Sequence, residues 1–507
     1  MTETSEETRV PRQLTLPIPG VIPLPAEGVA IPRPDRVFVN RNLRMAGIRW
    51  VGFDMDYTLA IYRQEQMDAL SIQLTVERLI RRGYPAYLED IVFDPRFPIR
   101  GLLIDRKYGN VLKMDRHKVV NTGYHGLRRL TPEEITDLYH EKKIRPQTAR
   151  YHWIDTLFAL CEVTSYAAIV HALESRGESV DYDKLFYDVR AAIDEAHAEG
   201  AVYKHVTSDL PRYIDRDPYL ARTLHKLRSA GKKLFLLTNS PWSYTNTMMT
   251  YLLGTASKEY GSWQQYFDVA ICAAQKPRWF GEGRPLMERD GDVLRPVDGS
   301  LARGKVYEGG SLREFERYIE QPGSTVLYIG DHIYGDILRS KKDSVWRTAM
   351  IIQELDVEIA ALESTTEQRV RRRQLTEARR GLEDELRFYQ YHYKELSKQP
   401  SATGDTPTAF ADPEQRENER KRVKRHVERV RGELRTLEQE YGELSEAIDA
   451  AFHPYWGSLL KELNGMSLFG QQVDLYADIY MRRVSCLGAY SPEQYFRSPH
   501  DLMPHEL

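Results

Sequence analysis

Short apolar, β-leaning runs recur along the chain and stop abruptly at polar residues. They are IRWVGFD (48–54), KKLFLLT (232–238), FDVAICA (267–273), STVLYIG (324–330) and WRTAMII (346–352). Runs that are apolar on both faces read as buried parallel strands. Helical patterns separate several of them, and this alternation predicts an α/β fold around a parallel sheet. The first and second runs lie about 180 residues apart. Helix-patterned stretches such as IQLTVERLIRRGYP and YDVRAAIDEAHAEG fill the gap. An inserted domain over the carboxyl edge of the sheet is expected there.

After Gln353 the period changes. Leu375, Leu382, Tyr389 and Leu396 are spaced by seven, with Leu386 and Tyr393 offset between them. Val423, Val427, Val430, Leu434, Leu437, Tyr441, Leu444 and Ile448 follow in alternating steps of four and three. That is a heptad stripe, and two such helices joined by a loop at 397–413 predict an antiparallel coiled-coil hairpin. At the other end, residues 1–35 are Pro-rich and lack periodicity, as an extended, disordered leader does. The division expected is a leader (1–35), a core (36–60 and 229–353), an inserted, mainly helical cap (61–228), a helical hairpin (354–453) and an aromatic-rich segment (454–507) that packs back on the core.

Composition narrows the class. Lys and Arg number 71 against 74 Asp and Glu, a net charge of −3. That balance gives no reason to expect a nucleic-acid or membrane-surface partner. A hydrophobic content of 41% is enough for a sizeable core. Cys161, Cys272 and Cys486 are too few and too scattered for a metal spacing or a disulfide framework, which fits a reducing cytoplasm. No apolar run is expected to reach the roughly 20 residues of a membrane span, and the N-terminal MTETSEETRV lacks an apolar signal core.

The candidate chemistry sits where the strands end. Asp54-Met55-Asp56-Tyr57-Thr58 follows the first run, at the edge where open α/β sheets bind ligands. Carboxylates there suit Mg²⁺, and an aspartate can attack phosphorus. Thr238 and Asn239 follow the second run and offer a hydroxyl and an amide to phosphate oxygens. Lys276 follows the third and supplies a point cation. Asp331 and Asp336 follow the fourth; two more carboxylates would repel unless a cation joins them. Gly330 and Gly335 allow the tight backbone that brings both inward. Each fragment has a bland reading as a turn, cap or surface group. The ordered set predicts one Mg²⁺-phosphate site.

In these motifs the chain resembles the haloacid dehalogenase superfamily of phosphatases. In RVFVNRNL, GFDMDYTLA, LTVERLIRRGYP, TNSPWSYTNTMMTYL, YIGDHIYGDILRSKK and the final LMPHE it resembles the cytosolic purine 5′-nucleotidase family, the IMP- and GMP-preferring kind. The resemblance implies a haloacid-dehalogenase-like parallel-sheet core. Asp54 would be the nucleophile that becomes an aspartyl-phosphate, and Asp56 the general acid and base. Mg²⁺ would sit on Asp54, the Met55 carbonyl and Asp331, with Asp336 in support. Thr238, Asn239 and Lys276 would hold the phosphoryl oxygens. Transfer of the phosphoryl group to a nucleoside is a second activity of the family.

The resemblance also implies that the insert reads the nucleoside, through Phe158 stacking on the base and Arg190, Asp194 and His197 facing a 6-oxopurine. The i, i+4 and i, i+3 spacings put those three on one helix face. Two positions depart from the family: Ala159 stands for an asparagine and Tyr203 for a lysine. An effector site for adenine nucleotides would map to Arg145, Tyr334, Lys342, Gln472 and Tyr476. Asp155 replaces an asparagine there and Leu475 an arginine, which disfavours a polyphosphate; ATP activation is expected to be weakened. A homo-oligomer, dimer or tetramer, is expected. The residues leave two alternatives open: the same chemistry on a pyrimidine nucleotide or sugar phosphate, or a coiled-coil scaffold around an inactive core. The complete motif set argues against the second.

Overall fold

The computed structural model describes residues 31–140, 144–146, 148–254, 259–297, 299–398, 412–463 and 465–499. Residues 1–30 of the leader, most of the 397–413 loop and the LMPHE motif lie outside them.

The five expected strands all form, as Trp50–Phe53, Lys233–Leu237, Val269–Cys272, Val326–Gly330 and Arg347–Ile351. Trp50–Phe53 lies between Lys233–Leu237 and Val326–Gly330 and is parallel to both. Val269–Cys272 and Val306–Gly309 extend the sheet on one side, and Arg347–Ile351 and Ile479–Met481 on the other, all parallel. Apolar side chains fill both faces, which is why these strands read as unbroken runs. Phe235 lies across Gly52, where a Cβ would come within 2.1 Å of its ring.

The rest of the sheet was not foreseen, including Val306–Gly309 and the edge strand Phe38–Val39. Leu286–Asp290 and Val293–Pro296 form an antiparallel hairpin at one edge, turned by Gly291 and Asp292 with Gly291 at φ 59°. The Gly-Asp pair in MERDGDVLRP is its signal. At the other side the C-terminal segment supplies a strand of the core, Ile479–Met481, rather than only packing on it.

Between Phe53 and Lys233 the insert is mostly helical, built on Gln64–Arg81, Leu160–Ser175, Tyr182–Ala198 and Ala201–Ser208. It also carries a five-stranded antiparallel sheet, with Val120–His125, Asn110–Met114 and Leu102–Asp105 at its centre. Leu102–Asp105 and Asn110–Met114 are buried throughout, so no alternation betrayed them. The stretch Leu157–Ser175 has the length and composition of a membrane span, contrary to the expectation of no such run. Most of it is buried, as a core helix of the insert.

The helices Thr366–Ser397 and Pro413–Phe452 run antiparallel. Arg371 pairs with Glu440 while Arg429 pairs with Glu385. Leu375, Leu396, Val423, Val427, Val430, Leu434, Leu437 and Ile448 are buried along the stripe. Leu382, Leu386, Tyr389, Tyr393, Tyr441 and Leu444 are half-buried.

Candidate active site

The strand Trp50–Phe53 delivers Asp54 and Asp56 into a tight turn. Tyr57 takes φ 57°, a backbone conformation costly for a bulky residue. Its ring is held between Tyr62 (centroids 4.7 Å apart) and Phe158 (4.6 Å), and its carbonyl accepts from Gln353 Nε2 at 3.0 Å. The turn thus rests on residues from both the insert and the core.

Asp54, Asp331 and Asp336 converge, with carboxylate oxygens within 4.8 Å of one another. Lys276 Nζ lies 2.8 Å from Asp54 Oδ1 and 2.6 Å from Asp336 Oδ1, and donates to the Tyr328 hydroxyl at 2.9 Å. All four charged groups are buried. Burial pushes the Asp54 carboxyl up to about 8; Lys276 opposes that, while Asp336 and Asp56 add to it. Burial, Asp54 and Asp336 push Asp331 well above the usual carboxylate range. Burial alone would lower the Lys276 ammonium; Asp336 and Asp54 reverse this and hold it well above its ordinary value.

Gly330 matters here for space. A Cβ at this residue would meet the Asp336 carboxyl at 2.6 Å. The Asp331 carbonyl accepts from Arg100 Nη1 at 2.8 Å, and Arg100 forms a two-point pair with Glu354 (2.8 and 2.6 Å). Asp331 Oδ2 is buried with no hydrogen-bond partner among the described residues. Three carboxylates, one lysine and an orphaned oxygen make a hard-oxygen pocket short of positive charge. That donor set fits Mg²⁺.

The Met55 carbonyl, the further ligand expected, is engaged within the turn. It accepts from the backbone N–H groups of Thr58 (3.3 Å), Leu59 (2.9 Å) and Ala60 (2.9 Å). The turn itself uses that oxygen.

Asp56 is turned away from the carboxylate cluster into hydroxyls. Its Oδ1 accepts from Tyr62 at 2.5 Å; its Oδ2 accepts from Ser240 at 2.7 Å and Thr238 at 3.5 Å. Burial raises its pKa, and Ser240 and Tyr62 oppose the rise. Asn239 is tied to the lysine loop. Its side chain donates to the Lys276 carbonyl (3.0 Å) and accepts from the Lys276 N–H (2.6 Å), so it holds the lysine loop in place.

Phe158 brings the insert against this turn and lies 6.3 Å from His197. Arg190 does share a face with Asp194 (3.6 Å), but its guanidinium also meets Glu162 at 3.2 Å and His152 at 3.2 Å. Burial pushes the His197 imidazole down. Tyr203 stacks on Tyr244, with centroids 4.4 Å apart.

Of the five effector positions, four lie on adjoining elements. Tyr334 is in the turn Ile333–Leu338, which packs on the helix Leu468–Tyr476 that carries Gln472 and Tyr476. Lys342 Nζ is 5.9 Å from the Tyr476 ring centroid. Arg145 lies on an exposed loop, where its carbonyl accepts from Thr148.

Sequence reasoning missed Tyr62, Ser240, Tyr244, Tyr328, Arg100, Glu354 and Glu162. Ser240 was legible in LLTNS, two residues beyond Thr238. Arg100 in FPIRGLLI and Glu162 in FALCEVTSYAA are lone charges in apolar stretches, a pattern that demands a buried partner.

The 5′ nucleotidase family model matches residues 37–507. A 5′-nucleotidase domain-containing protein of Dictyostelium discoideum is 31% identical over 483 residues, which cover 94% of this chain and 75% of that one. The 5′-nucleotidase domain-containing protein 2 of Rattus norvegicus is 29% identical over 501 residues, covering 95% and 82%. Among solved structures, a HAD phosphatase from Thermococcus onnurineus is 14% identical, with 60% of this chain and 87% of that one covered. Its TM-score of 0.25 is too low to carry an argument. Family match and site geometry agree: the chain belongs to the 5′-nucleotidase family and is a phosphoric monoester hydrolase.

Proposed function

We propose that the chain is a Mg²⁺-dependent 5′-nucleotidase that hydrolyses 6-oxopurine nucleoside 5′-monophosphates through a phosphorylated Asp54. The observation that carries this reading is the convergence of Asp54, Asp331 and Asp336, with the Lys276 ammonium paired to Asp54 and Asp336 and with Asp56 two positions beyond Asp54 in the same turn. Asp54 attacks phosphorus with the oxygen that Lys276 does not hold, and the bond from phosphorus to the 5′-oxygen breaks. Asp56 gives its proton to that leaving oxygen. It then takes a proton from the water that attacks the phosphoryl-aspartate, and phosphate leaves. Lys276 stays charged and neutralises the transferring group; most of the rate enhancement comes from this fixed arrangement. Asp54, Asp331 and Asp336 would hold Mg²⁺, which draws charge from the phosphoryl oxygens when bound. A nucleoside 5′-hydroxyl in place of water turns the same second step into phosphotransfer.

The purine preference is supported by the Phe158, Arg190, Asp194 and His197 group standing beyond the catalytic turn. Arg190 already shares its charge with Glu162, and an aromatic residue, Tyr203, flanks the site. These two observations favour a second reading, a pyrimidine nucleotide or sugar phosphate on the same chemistry. The test is phosphate release from a panel of nucleoside monophosphates and sugar phosphates, with Mg²⁺ and with chelator, beside Asp54→Asn. IMP and GMP leading, with Mg²⁺ required and Asp54→Asn inactive, is expected. Pyrimidine or sugar phosphates leading would overturn the purine assignment, and activity in chelator the metal assignment.

A further inference from the structure

The Asp56 carboxylate is the end point of a buried hydroxyl chain. The Tyr62 hydroxyl donates to Oδ1 at 2.5 Å and lies 2.7 Å from the Tyr244 hydroxyl. With Tyr62 donating to the carboxylate, Tyr244 must donate to Tyr62. The order is therefore Tyr244, then Tyr62, then Asp56. Its members come from different parts of the chain: Tyr62 from the strand Ile61–Tyr62 that opens the insert, Tyr244 from the core helix Trp242–Leu253. Both phenols are buried. Their rings are fixed by neighbours, Tyr62 against Tyr57 and Tyr244 under Tyr203 of the insert. In a water-poor site such a chain is stronger than its single bonds and sets one orientation of the group it ends on.

We infer that Tyr62 and Tyr244 are positioning residues for the proton transfer by Asp56: they hold its carboxyl plane toward the leaving 5′-oxygen, Tyr62 directly and Tyr244 through Tyr62. Neither phenol passes a proton to substrate. The proton moves from Asp56 to the 5′-oxygen as the bond to phosphorus breaks. This inference rests on the reading of Asp56 as general acid.

The chemistry supplies a discriminating substrate pair. A nucleoside alkoxide leaves poorly without a proton. The 5′-bridging phosphorothiolate of the same nucleotide leaves as a thiolate and needs none. Single-turnover nucleoside release isolates this first step, using the nucleotide that leads the panel and its phosphorothiolate. Tyr62→Phe keeps the ring and removes only the hydroxyl. It is expected to slow the oxygen ester about 10- to 100-fold and the sulfur ester less than about threefold. Tyr244→Phe should slow the oxygen ester by a smaller factor, and in the Tyr62→Phe background it should add less than about twofold, because it acts through Tyr62. The sulfur ester also reports that each variant is folded.

Asp56→Asn separates the two claims. If it spares the sulfur ester and cripples the oxygen ester while Tyr62→Phe slows both alike or neither, the positioning role is overturned and the acid role stands. If Asp56→Asn itself slows both alike, the acid role is what fails.

Discussion

The phosphate end of the site and the nucleoside end are built differently. At the phosphate end every charged group comes from the carboxyl ends of parallel strands and is buried, and each is satisfied by another member of the set or left open for a cation. At the nucleoside end the groups stand on helices of the insert. The Asp194 side chain is 65% exposed and that of Arg190 40% exposed, and Arg190 is already paired with Glu162. The sheet couples its residues because each strand is hydrogen-bonded to its neighbours. A helix face tolerates exchange one side chain at a time. Chemistry is therefore hard to alter in this fold, and selectivity is easy.

The largest expected break in that contrast is at Asp331. Asp331→Asn should lower turnover by about 10²- to 10³-fold, since it removes an oxygen aimed into the cluster. In Mg²⁺ the same variant should melt below the wild type, because a metal ligand is lost; in chelator that deficit should disappear. Calorimetry with and without the metal reads both. Gly330→Ala follows. Its Cβ would displace the Asp336 carboxyl, so activity should fall at least about tenfold, while the melting temperature moves by only a few degrees. Equal activity would show that Asp336 has slack.

At the nucleoside end the effects should be smaller and substrate-dependent. Glu162→Gln frees the Arg190 guanidinium from its buried partner. We expect the ratio of kcat/KM between nucleotide bases to shift by about 3- to 30-fold, with ribose 5-phosphate turnover unchanged. An equal change for every phosphate ester would mean that Glu162 only supports the fold. Smallest of all is the helical hairpin. Arg429→Ala removes exposed pairs with Glu385 and Glu433 and should leave the denaturant midpoint nearly unchanged, with no effect on turnover.

The same contrast governs what could be read in advance. Residues that act next to their own strand were legible: Asp54, Asp56, Thr238, Lys276, Asp331 and Asp336 each follow an apolar run. Residues whose partners are distant in sequence were not. Arg100 reaches the Asp331 carbonyl across 231 positions, and Tyr62 reaches Tyr244 across 182. Local pattern carries no record of such pairs. The three contacts of the Met55 carbonyl were not legible for a related reason: they depend on a turn geometry with Tyr57 at positive φ, which side-chain identity does not encode. In the insert, the antiparallel sheet was hidden because its central strands are buried on both faces.

A carboxylate oxygen of Asp54 is the proposed acceptor of the phosphoryl group. The most direct measurement is rapid acid quench of the enzyme during turnover of a labelled nucleotide, followed by mass mapping of the peptide that contains residues 50–63. The account predicts a phosphoryl group on Asp54, absent from Asp54→Asn and lost on hydroxylamine treatment. Turnover without a phosphorylated aspartate, or a phosphoryl group on Asp56 instead, would contradict it.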